Sequence, residues 1–216
     1  MNPQPFLTDT MDNPTRSERS RRAAIQAALT IIARDGPGQL TFDAIARESG
    51  ISKGGLMYQF RTKGDVLKAL LEHDIEYFEN FSRDYLAGEG ATKSEPNLAA
   101  EIATMRKATD NPKAGGFAIL AALLEDPALL SATRERSAAK VKRIKAEAAD
   151  PELTMLRWAA ARGLVFTALL GLCPLSDRER GRLFDRLLDE SQWPASAEVK
   201  KKPRAARAPR SAKTDA

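Results

Sequence analysis

From about residue 17 to residue 191 the apolar residues recur at helical spacing, and no stretch alternates as a half-buried strand would. Ile25, Ala28, Leu29 and Ile32 fall at i, i+3, i+4 and i+7, which predicts a first helix over about 17–35, stopped by Gly36-Pro37-Gly38. Thr41 then caps a short helix, FDAIARES, whose Phe42, Ile45 and Ala46 share a face. Gly50 ends it, Ile51 follows, and Ser52 caps a third short helix, KGGLMYQ. Thr62 opens a fourth, in which Val66, Leu67, Leu70, Leu71, Ile75, Phe78, Phe81 and Tyr85 hold the spacing up to Gly88. At a rise of 1.5 Å per residue that helix spans about 35–40 Å. Prolines divide the rest into helices near 95–109, 113–125, 127–149, 151–173 and 177–191. The expected fold is all-α with about nine helices: an N-terminal three-helix helix-turn-helix head and a helical body.

Composition adds limits to this picture. Residues 1–15 read as a mobile arm, 16–65 as the head, 66–192 as the body, and 193–216 (Ala, Pro, Lys and Arg) as a disordered basic tail. No apolar run approaches the ~18–20 residues of a membrane span. The N-terminus has no secretory pattern, so a cytoplasmic location is expected. One cysteine, Cys173, cannot form an internal disulfide. One histidine, His73, sits within a helical pattern and reads as a surface or packing residue. Metal sites and His-based catalysis therefore lack their ligands, and no cofactor is called for. Charge separates the regions: residues 13–68 carry ten Lys/Arg against five Asp/Glu, whereas residues 69–196 carry 17 against 20. A basic head on a mildly acidic body is expected when the head alone meets phosphate.

The segment 41–60, TFDAIARESGISKGGLMYQF, places two short helices at a tight turn containing Gly50. Ile45, Ile51, Leu56 and Phe60 are expected to hold the pair against the first helix. That leaves Lys53, Gly54, Gly55, Tyr58 and Gln59 to face outward from the second helix. Lys53 suits phosphate or a guanine edge, and Gln59 suits a base edge or solvent. The glycines admit close approach of the backbone, and Tyr58 offers a hydroxyl for phosphate and a ring for thymine methyls. Thr41, Ser52 and Lys63 lie at or beside helix N-termini, where phosphate oxygens are attracted. Arg16, Arg19, Arg21 and Arg22 suit either the minor groove or a solvated face.

The stretch from about Arg22 to Leu67 resembles the head of the TetR family of transcriptional regulators. The resemblance is carried by Ile25, Ala28, Gly36, Leu40-Thr41, Ile45-Ala46, Gly50-Ile51-Ser52, Gly55-Leu56, Tyr58, Phe60, Lys63 and Leu67. It departs from many relatives at Gln59 and at Arg61-Thr62. The resemblance implies that the second motif helix enters the major groove of operator DNA while Tyr58 and Lys63 hold phosphate. It also implies a homodimer on a roughly palindromic operator, repression as the default, and release by a small effector bound in the body, for which the residue content there suits an apolar or weakly acidic compound. The helices near 151–173 and 177–191 would pair with their copies, through Leu156, Ala159, Ala160, Gly163, Leu164, Thr167, Leu170 and Gly171 and through Leu183, Phe184, Leu187 and Leu188. Packing inside one subunit is the competing use of these residues. An effector pocket would be lined by Tyr77, Phe81, Met105, Phe117, Leu120, Leu124, Trp158 and Phe166, with Arg106 or Arg162 as polar anchors. An enzyme and a helical scaffold without DNA function are the rival classes; the enzyme lacks any recognisable catalytic constellation.

Overall fold

The computed structural model describes residues 15–110 and 127–193, and every regular element among them is helical. Eight α-helices occur there: α1 (Arg16–Asp35), α2 (Phe42–Ser49), α3 (Lys53–Gln59), α4 (Lys63–Ala87), α5 (Pro96–Ala108), α6 (Pro127–Glu147), α7 (Pro151–Leu169) and α8 (Asp177–Leu188). The helix expected near 113–125, with Phe117, Leu120 and Leu124, lies outside the described residues, as do most of the arm and the basic tail.

Two hydrophobic clusters organise the chain. The first joins α1 (Ala24, Ile25, Ala28, Ile31, Ile32), Ile45 of α2, Leu56 of α3, Phe60, and the opening turns of α4 from Val66 to Leu71. The second joins Leu98, Ile102 and Met105 of α5 to Ile144 of α6, Ala161 and Val165 of α7, and Phe184 and Leu187 of α8. Helix α5 is the axle of the body: it packs on α4, α6, α7 and α8, and its residues Leu98 to Met105 are all buried. Such all-round burial needs small and apolar side chains on every face, and LAAEIATM supplies them apart from one glutamate.

Buried charge locks the body together. The Arg157 guanidinium of α7, only 5% exposed, meets Glu95 at 2.5 Å just ahead of α5 and donates to the Leu187 carbonyl of α8 at 2.9 Å. Thr154 donates to the same Glu95 carboxylate. Glu147, at the end of α6, accepts from the backbone N–H groups of Asn97 and Leu98, which no intrahelical carbonyl reaches.

The last two helices differ from expectation. Helix α7 stops at Leu169 rather than near 173, because Gly171 takes a left-handed conformation (φ 68°). Leu172 N–H then donates to Thr167 O at 2.8 Å and Gly171 N–H to Ala168 O at 3.1 Å. This pattern closes a helix end and is open mainly to glycine, so Gly171 ends the helix instead of packing along it. Helix α8 ends at Leu188 and continues as a short 3-10 turn, Glu190–Gln192. Its Phe184 and Leu187 are core of the same subunit, so they cannot serve a partner's surface as one of the two sequence readings had it.

Candidate nucleic-acid interface

The local chemistry of the head sets the geometry of α2 and α3. Thr41 Oγ1 accepts from Ala44 N–H at 3.1 Å and Ser52 Oγ from Gly55 N–H at 3.2 Å, so each hydroxyl caps its helix and keeps its own proton to donate outward. Between the helices Gly50 is left-handed (φ 70°), which lets the chain reverse within Gly50-Ile51-Ser52. Leu56 and Phe60 anchor α3 in the core, and Arg21 of α1 stacks on the Phe60 ring at 4.8 Å. Thr62 and Asp65 form a reciprocal cap at the start of α4. The hydrogen bond from Thr62 N–H, foremost among several, holds the Asp65 carboxyl below the usual carboxylate range.

Thr41, Ser52, Lys53, Gly54, Tyr58 and Lys63 all reach solvent; Gly55 and Gln59 are half-buried. Lys53 Nζ pairs with Asp43 of α2 at 2.9 Å. Gln59 Nε2 donates to Ser17 Oγ of α1 at 2.7 Å, tying the end of α3 to the start of α1. The two glycines are not equivalent. A Cβ on Gly55 would sit 3.2 Å from both Ile51 Cγ2 and Ser52 Oγ, so packing within the head accounts for it. A Cβ on Gly54 would meet nothing within 4 Å. Met57, absent from the residues singled out in the sequence, is 53% exposed beside Tyr58 at 84%. Its signal was available: the helical spacing that buries Leu56 and Phe60 turns Met57 outward.

The residues expected to line an effector pocket are divided among three places. Tyr77, Met105, Arg162 and Phe166 line one cavity of about 520 Å³, together with Phe78, Val165, Asp74 and Leu29 of α1. Phe81 and Arg106 border a different cleft, and the Arg106 guanidinium is paired with Asp185 of α8 at 2.6 Å. Trp158 packs against the body core, and Arg162 lies over its ring at 4.9 Å. Burial, with smaller opposition from His73, pushes the Asp74 carboxyl above its ordinary range.

Comparison with known proteins follows the same division. Residues 24–70 match the family model for bacterial regulatory proteins of the tetR family, and residues 96–192 match the tetracyclin repressor-like C-terminal domain. The HTH-type transcriptional regulator SrpR of Pseudomonas putida is 35% identical over 63 residues, 28% of this chain and 30% of that protein. The chain thus spans 30% to 47% of the length of the curated relatives it matches. Among solved structures, the fatty acid degradation regulator FadR from Bacillus halodurans superposes with a TM-score of 0.61 at 18% identity, over 78% of this chain and 94% of that one. The multidrug binding protein EbrR complexed with ethidium gives 0.55 at 23% identity, over 78% and 97%. With a head and a body that each match the corresponding family model, the chain belongs to the TetR family of transcriptional regulators.

Proposed function

We propose that this protein is a repressor that binds a roughly palindromic operator as a homodimer and releases it when a small apolar molecule occupies the body. The observation that carries the reading is the head: a capped, left-handed turn presents α3 with its anchoring residues buried and Lys53, Gly54, Met57 and Tyr58 in solvent. Thr41, Ser52 and Lys63 are the proposed phosphate contacts around it.

Dimerisation is supported by an apolar stripe on α7. Leu156, at 67% exposure, continues through Ala159, Ala160 and Gly163 to Phe166, with Leu170 just past the helix end and Leu183 of α8 also exposed. Small residues between larger ones let two helix backbones approach closely, and a monomer gains nothing by leaving them wet. Two heads related by a two-fold axis then fit half-sites about 34–36 Å apart.

The 520 Å³ cavity is the proposed effector site, with Tyr77, Met105, Phe166 and Arg162 in its wall. EbrR, which shares this fold, was crystallised as a complex with ethidium, and that supports a small-molecule effector here. A ligand alters DNA affinity only if it binds the two head spacings unequally.

The test is a gel shift of the full chain on DNA from its own upstream region. Tyr58→Ala combined with Lys63→Ala should abolish the shift while leaving the thermal unfolding transition in place. Retention of the shift by this double variant rejects the interface. Leu156→Asp should convert a sedimenting dimer to monomer; an unchanged sedimentation coefficient rejects the stripe.

A further inference from the structure

Gly54, Met57 and Tyr58 stand at i, i+3 and i+4 and therefore form one stripe along α3. The stripe holds no charge and a single hydroxyl. Exposing a thioether and an aromatic ring side by side costs solvation and gives the isolated head nothing in return. A Cβ on Gly54 would meet nothing within 4 Å, so a surface can come down beside these two side chains.

Two polar side chains of α3 already have partners within the head. The Gln59 amide N–H group is held by Ser17, and Lys53 is held by Asp43. Moving Lys53 onto a base would leave the exposed Asp43 carboxylate uncompensated next to a polyanion, a repulsion that favours the pair as it stands. Lys53 and Gln59 thus each give up a partner within the head on turning to a base edge, whereas Met57 and the Tyr58 ring give up none.

Resting on the DNA-binding reading above, we infer that α3 reads its operator chiefly through the 5-methyl groups of thymine, with Met57 and Tyr58 as the specificity-determining contacts and Gly54 as the space that admits them. The thymine methyl is the one apolar group that a standard base pair offers in the major groove, so an apolar stripe finds its complement only there.

The experiment begins with the full chain and a random 30-base-pair duplex library, from which bound sequences are selected and one is resynthesised. Each thymine of a half-site is then replaced in turn by deoxyuridine, which removes the methyl group and leaves every hydrogen bond of the pair intact. At the contacted positions affinity should fall about fourfold per methyl. Met57→Ala should weaken the thymine duplex and erase the thymine–uracil difference at one position, and Tyr58→Ala at another. Tyr58→Phe should preserve it, since the ring is what makes the contact. Equal binding of the thymine and uracil duplexes at every position overturns the inference while leaving DNA binding intact. A uracil penalty that survives both alanine variants overturns the assignment of these residues. Failure to enrich any sequence overturns the DNA reading itself and this inference with it.

Discussion

The head and the body of this chain lean on polar contacts of different reach, although Gln59 to Ser17 crosses the head and a capping box, Ser176 with Glu179, opens α8 of the body. In the head, helix ends are capped by residues three positions away: Thr15 with Glu18, Thr41 with Ala44, Ser52 with Gly55, Thr62 with Asp65. In the body, polar contacts join residues far apart in the chain: Glu95 to Arg157, Asn97 to Glu147, Ser94 to Glu190, Arg106 to Asp185. A head built this way is specified locally and keeps its shape as a unit, whereas the body's form depends on which distant helices meet. The contrast suits the proposed function, in which the reading surface stays constant while the effector cavity gives.

The contrast breaks most sharply at Arg157. Arg157→Ala leaves the Glu95 carboxylate with Thr154 as a hydrogen-bond donor but no opposite charge, and should cost about 3–5 kcal/mol in a urea unfolding measurement. A loss under about 1 kcal/mol, the size expected of an exposed ion pair, would erase the distinction drawn for the body. In the head the backbone itself is tested at Gly50. Gly50→Ala meets no atom within 4 Å, so its cost is backbone strain alone, roughly 1–2 kcal/mol. The same exchange four residues on has the opposite sign: Gly54→Ala should stabilise the head by up to about 1 kcal/mol yet weaken operator binding. Thermal unfolding and a gel shift on one preparation separate the two quantities, and a gain in both would show that Gly54 serves no DNA contact.

The smallest effect concerns Asp74 in the wall of the cavity. Its raised pKa means that the folded protein holds the carboxyl proton more tightly than the unfolded chain does. The stability linked to it is present at low pH and is lost as pH rises through the ordinary carboxylate range toward the raised value. Asp74→Asn should therefore raise the melting temperature slightly at neutral pH and make no difference below about pH 4. A lower melting temperature at neutral pH would mean that the carboxylate has a favourable partner in the fold.

Legibility in the sequence followed the same divide. The caps at Thr41, Ser52 and Thr62 and the turn at Gly50 were read from the residues because their partners lie within one helical turn. The end of α7 was misplaced because Pro174 marked the break, whereas the deciding residue was Gly171. That Phe184 and Leu187 point into their own subunit depends on the position of α5, which spacing along α8 does not encode. The pair Glu95–Arg157, 62 residues apart, had no sequence signature at all. Gly54 and Gly55 looked alike in the sequence and differ only in what a methyl group there would touch.

Leu29 belongs both to the packing of the head and to the wall of the 520 Å³ cavity. Nothing as long as a linker intervenes between whatever fills the chamber and the helix on which the reading unit is mounted. In the proposed function, an effector lodged there would bear on α1 directly through Leu29.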